Sequence, residues 1–163
     1  MESGQPPRDI LIVGAGLAGV ACAIAISQEL GPFVPDLKIR VFERNDFPST
    51  SGGAINLTPV AQRHLASLGV MEELNRMGTH GGADIDSIEL LSITSARPVG
   101  SIDFTDRAGN DYSGYKGRRV MRVVLLMAMI NTAEHAHNIE FIYGKKFTSG
   151  GEINDKAAVY FED

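Results

Sequence analysis

Apolar residues fall into short continuous runs, one long run of helix formers and later alternating stretches. Ile10-Leu11-Ile12-Val13 is continuous and short, the pattern of a parallel strand covered on both faces. From Leu17 to Leu30 the residues favour helix, and Gly31-Pro32 supplies the stop. After a surface loop, Lys38 to Glu43 reads as a second strand. The lengths agree. Leu17 to Leu30 at about 1.5 Å per residue carries the chain roughly 21 Å away, and Lys38 to Glu43 at about 3.3 Å per residue returns it roughly 20 Å. Glu43 is therefore predicted beside the start of the helix.

Further along, residues 45–53 are turn residues nearly throughout, and the loop is predicted to leave the sheet at its ligand edge. Ala54 to Leu57 reads as a short strand, Pro59 to Leu68 as a helix closed by Gly69, and Met71 to Met77 as a second helix ending at Gly78. From Ser87 the period changes. Ser87 to Ile93 and Ser101 to Phe104 partly alternate, which predicts an antiparallel layer in a second lobe. Gly114 to Arg119 reads as a basic connection into a long helix, about Met121 to His137, whose leucines and methionines are assigned to core. Ile139 to Tyr143 is predicted as a third parallel strand. Lys145 to Thr148 and Ala157 to Phe161 read as a hairpin around Ser149-Gly150-Gly151. The organisation expected is a polar leader over 1–8, a first nucleotide-binding segment over 9–82, the antiparallel layer over 83–116 and a return over 117–163.

The chemistry lies in the turn between first strand and helix. In Gly14-Ala15-Gly16-Leu17-Ala18-Gly19 the first glycine permits the bend, the second admits a pyrophosphate, and the third lets helix and strand pack closely. The free N–H groups of that helix then face the phosphates. Glu43 can accept hydrogen bonds from both hydroxyls of an adenosine ribose and would repel a 2′-phosphate, which favours FAD or NAD over NADP. A glycine turn alone is weak, but strand, turn, helix, returning strand and acid in this order are specific. The run from Ile10 to Ile26 could also be a membrane span or a secretory signal, with Ala21-Cys22-Ala23 as a cleavage site. It falls short of the roughly 20 residues of a span, and the segment before it lacks a signal's net positive charge.

Composition narrows the classes. The 163 residues are 44% hydrophobic and 21% charged, an ordinary globular balance. Fifteen basic against twenty acidic side chains give a net charge of −5, which argues against nucleic acid or an anionic membrane as partner. A single cysteine cannot form an internal disulfide, so a cytoplasmic chain is expected, with Cys22 as a small core residue. His64 and His80 read as surface or turn residues. His135 and His137, two apart, would face different sides of a helix, and no metal site is expected. Asp84 and Asp86 read as solvated turn carboxylates, and Arg118, Arg119 and Arg122 as partners for nearby acids unless they meet a ligand.

Together these landmarks resemble the flavoprotein monooxygenases of the aromatic-hydroxylase type. The resemblance rests on Gly14, Gly16 and Gly19, on Glu43-Arg44, on Gly52-Gly53-Ala54-Ile55 with Pro59, and on Arg122 followed by Leu125 and Met129. It implies an α/β, Rossmann-like FAD-binding fold of the glutathione-reductase type, with a parallel sheet and the start of an antiparallel substrate-domain sheet. It also implies FAD as cofactor, NAD(P)H as reductant and an aromatic or enolic small molecule as substrate. Gly14, Gly16, Leu17, Ala18, Gly19, Glu43, Arg44, Gly53, Ala54 and Arg122 are the cofactor-binding residues so implied. Ala54 stands where the family often has Gly, and Val60 where it often has Asn.

The sequence ends before the family's later Asp-Gly and Gly-Asp motifs and most of its substrate pocket, so no catalytic acid or base is assigned. By the same resemblance the first strand loses one neighbour and becomes an apolar edge. Marginal stability, self-association or pairing with a separate C-terminal chain is then expected. A non-catalytic nucleotide-binding module and an inactive truncated product are the competing readings.

Overall fold

The computed structural model describes residues 8–106, 110–112 and 114–162. The leader expected over 1–8 lies outside them apart from the exposed Arg8. In chain order the elements are β1 (Asp9–Val13), α1 (Leu17–Leu30), β2 (Lys38–Phe42), β3 (Ala54–Leu57), α2 (Pro59–Ser67), α3 (Val70–Arg76), β4 (Ala83–Ile85) and β5 (Ser87–Leu91). They continue with β6 (Pro98–Asp103), β7 (Gly117–Met121), α4 (Arg122–Glu134), β8 (Ile139–Ile142), β9 (Phe147–Ile153) and β10 (Lys156–Phe161). The chain up to Thr50 and from Leu126 onward makes one compact unit, and Ser51–Leu125 makes the other.

The first unit is built on a parallel sheet in the order β1-β2-β8. Asp9 faces Lys38 and Val13 faces Phe42, while Ile39 faces Ile139 and Phe42 faces Ile142. The sheet is covered on the face where its middle strand presents Ile39 and Val41. Ile39 and Val41 are completely buried, as are Val20 and Ala23 of α1, and each large aliphatic side chain so removed from water stabilises the unit by about 1.5–3 kcal/mol. Ser27 Oγ donates to Asn138 Oδ1 at 2.7 Å, fixing the end of α1 to the turn before β8. Cys22 departs from expectation and is exposed. The buried stripe of α1 runs through Val20, Ala23 and Ile24, and two residues on from Val20 a helix has turned by about 200°.

β9 and β10 form the expected hairpin, but its tip is elsewhere. Ser149, Gly150 and Gly151 are paired inside β9 with Tyr160, Val159 and Ala158. The turn is made by Asn154 and Asp155, with φ of 50° and 60°. Two consecutive left-handed residues are what a tight hairpin turn of matching twist requires, and Asn and Asp tolerate that conformation. Phe161 packs its ring 4.7 Å from that of Phe42.

In the second unit β3, β7 and β4 form an antiparallel sheet with β7 in the middle. The stretch expected as a basic connection is thus a strand. Gly117 and Val120 are buried while Arg119 is exposed, and the buried positions carry the pairing despite the charges. A Cβ at Gly117 would run into the ring of Phe104, which is itself buried. α4 follows at once and ends at Glu134, so His135 and His137 lie in the turn after it rather than on it. Thr58 caps α2 by accepting from the Ala61 N–H at 3.2 Å, with Pro59 in the first turn. The buried Gln62 amide donates to the carbonyls of Leu57 and Lys116. β5 and β6 pair as a separate antiparallel ribbon, Ser87 facing Asp103 and Ile88 facing Ile102.

Candidate functional site

The glycine turn is fixed from two sides. The Gly14 N–H donates to Phe42 O at 2.7 Å, so the bend starts as an extension of the β1–β2 ladder. Its φ of +99° is one that a side chain would strain. At Gly19 a Cβ would collide with the Gly14 carbonyl, which is why the helix can lie this close to the turn. Gly16 caps α1 in extended geometry, and a Cβ there would meet open space. Leu17 and Ala18 open the helix, whose first turn carries no acidic side chain and whose cap makes no side-chain hydrogen bond. Its leading N–H groups therefore stand beside open space on the Gly16 side, a geometry suited to an anion.

Glu43 lies where the length argument put it. Its Oε2 accepts from the Ala15 N–H at 3.0 Å, and its Oε1 accepts from the Asn45 backbone N–H at 3.0 Å and from Asn45 Nδ2 at 2.7 Å. The segment is clipped to the chain after β8: Glu43 N–H donates to Ile142 O, Lys145 N–H to Glu43 O, and Gly144 N–H to Asn45 O. A recess of about 250 Å³ opens beside the carboxylate, lined by Val13, Gly14, Phe42, Glu43, Arg44, Lys146 and Phe147. Arg44 and Lys146 give this acidic chain a local cationic rim, and Lys146 is held by Glu162 at 2.9 Å. Burial pushes the Tyr143 phenol above its ordinary 10.0, helped by the charges of Glu134 and Glu43.

Gly53, Ala54 and Arg122 meet in the second unit. Pairing of β3 with β7 sets Ala54 opposite Met121, and the Arg122 N–H donates to Gly53 O at 3.0 Å. The basic residues of β7 and Lys116 just before it are engaged by neighbours. Arg118 lies 3.7 Å from Asp84 and donates to Asn75 Oδ1, Arg119 donates to Asn56 Oδ1, and Lys116 holds Asp86 at 3.0 Å. Asp84 and Asp86 are thus exposed carboxylates paired with cations. The residues named from sequence accordingly fall in two groups, Gly14 to Gly19 with Glu43 and Arg44 in one unit and Gly53, Ala54 and Arg122 in the other. Asn45, Lys146 and Phe147 were missed. A short amide two residues after the acid, and a hairpin starting at the edge where Glu43 ends, were the available signals.

Residues 12–76 match the family described as NAD(P)-binding Rossmann-like domain. Over 76 residues, 47% of this chain, the sequence is 36% identical to 6-hydroxynicotinate 3-monooxygenase of Pseudomonas fluorescens. Many solved structures share the fold, among them the following two. PqsL, a probable FAD-dependent monooxygenase from Pseudomonas aeruginosa, superposes with a TM-score of 0.66 over 90% of this chain at 15% identity. CtdE in complex with FAD does so with 0.65 over 96% at 16% identity. The chain shares its fold with part of PqsL and part of CtdE. It spans 18% of the length of the P. fluorescens monooxygenase and 35% of each of the two structures. Within this fold α1 and β2 lie in the stretch that the Rossmann-like family matches. No helix among the described residues is long and apolar enough to cross a membrane.

Proposed function

We propose that this chain is the FAD-binding portion of a monooxygenase that hydroxylates an aromatic or enolic small molecule with NAD(P)H and O2. The observation that carries the proposal is the junction of the glycine turn with Glu43. An anion-accepting helix start with open space at Gly16 adjoins a carboxylate aimed at the same turn, and one end of a dinucleotide needs both. Gly14, Gly16, Leu17, Ala18 and Gly19 would hold the pyrophosphate through backbone N–H groups, Glu43 the adenosine ribose, and Arg44 the rim of the recess. Gly53, Ala54 and Arg122 would meet the cofactor elsewhere along its length. The bound flavin supplies the redox chemistry, and the protein binds and orients it and excludes water. A cytoplasmic location fits this reading. So does self-association through the edge of β1, whose one strand neighbour among the described residues is β2.

The test is the absorption spectrum of the purified chain after incubation with FAD and gel filtration. A flavin band co-eluting with the protein, and lost in Gly16→Asp, is expected, because a carboxylate there would repel the pyrophosphate. A second reading, which the NAD(P)-binding description also fits, is a non-catalytic nucleotide-binding module. Binding of ADP or NAD without retention of flavin would select it.

A further inference from the structure

The Glu43 carboxylate is more heavily used than a free ribose-binding acid would be. An ionised carboxylate offers about four in-plane acceptor positions, two on each oxygen. Asn45 takes both positions of Oε1, one through its backbone N–H at 3.0 Å and one through Nδ2 at 2.7 Å. Ala15 takes one position of Oε2 at 3.0 Å. One acceptor position is left, on Oε2. The contact from Nδ2 is the shortest of these bonds, and charge-assisted bonds of this kind are among the stronger ones in proteins. Asn45 is itself anchored, since its carbonyl accepts from the Gly144 N–H at 3.0 Å. That bond is to the backbone carbonyl, so the side chain springs from a clipped backbone.

We propose that Asn45 is a positioning residue that holds Oε1 of Glu43 and makes the cradle a reader of one ribose hydroxyl instead of two. The assignment rests on the nucleotide reading above and adds to it a selectivity the glycine turn does not contain. In the wild-type chain a ribose lacking the unread hydroxyl binds as well as the complete one. Removing the Asn45 side chain frees one position on Oε1 while its backbone N–H keeps the other, so the variant reads both hydroxyls.

The experiment is calorimetric titration of the full chain with ADP, 2′-deoxy-ADP and 3′-deoxy-ADP, repeated for Asn45→Ala. In the wild type one deoxy analogue is expected to bind within about twofold of ADP and the other roughly tenfold or more weakly, the cost of a lost bond to a charged acceptor. In Asn45→Ala both analogues are expected to fall by roughly tenfold relative to ADP. A general loosening of the loop would weaken all three nucleotides together and leave their ranking unchanged, and that result overturns the assignment. So does weakening of both analogues in the wild type, which decides the question even if the variant does not fold. If ADP itself does not bind the wild-type chain, the nucleotide reading falls and the assignment with it. If ADP binds and only the ranking is wrong, the nucleotide reading stands and Asn45 alone is misassigned.

Discussion

At Gly19 the absence of one carbon atom decides how near α1 can come to β1. The obstacle to a Cβ is the backbone carbonyl of Gly14, which cannot rotate away as a side chain could. Gly19→Ala must therefore push the helix off the turn. Overpacking of this kind costs about 1–3 kcal/mol, so a lower midpoint with unchanged slope is expected in urea denaturation. Gly16→Ala should be close to neutral in the same measurement, because its Cβ points into open space. The two glycines are three residues apart and do different work: one sets the packing of the fold, the other leaves room outside it.

The hairpin of β9 and β10 shows how an element can be recognised while its geometry is misjudged. Gly150 and Gly151 look like a turn in sequence, yet they are paired within β9, where an aromatic ring lies within 4 Å of the Cβ position of each. The true turn residues each carry a Cβ in the left-handed region, which costs something even for Asn and Asp. Asp155→Gly completes an Asn-Gly pair, the favoured sequence for this turn. It is expected to stabilise the hairpin by about 0.5–1 kcal/mol, the left-handed penalty relieved less the entropy that glycine adds, measured as slower amide exchange at Ile153 and Lys156. Other elements were legible because their signals were local. α1 runs over the residues expected, since Gly16 and Gly31 bracket it, and β2 returns Glu43 to the turn because the lengths match. β7 was not legible. Gly-Arg-Arg-Val-Met has the composition of a loop, and it becomes a strand only because β3 and β4 pair on either side of it and Gly117 admits the Phe104 ring. The site split along the same line: the acid and the glycines could be read from spacing, whereas the donors of Asn45 depend on a loop conformation that no periodicity encodes.

The molecule as a whole is two compact units, each with its own buried set. Ile39, Val41, Leu126 and Met129 serve one, and Val70, Leu74 and Val120 the other. Exposed apolar residues occur in both, and those of the second include Leu90, Leu91, Val99 and Ile102 on the β5–β6 ribbon. Global stability should fall in alkali. Tyr143 keeps its proton to a higher pH in the folded chain than in the unfolded one, so folding is fully supported below 10.0 and loses support as pH climbs through the raised folded value. Tyr143→Phe removes a proton that the folded state retains longer. Denaturation midpoints measured across that range should decline less steeply for the variant than for the wild type.

Cys22 turns the geometry of α1 into an instrument. It is the sequence's single thiol, and it projects from the exposed side of the helix whose first turn sits at the glycines. A maleimide dye would label each chain once, within two helical turns of Gly16. Its emission would register events at the cradle without a designed cysteine and without disturbing the buried stripe through Val20, Ala23 and Ile24.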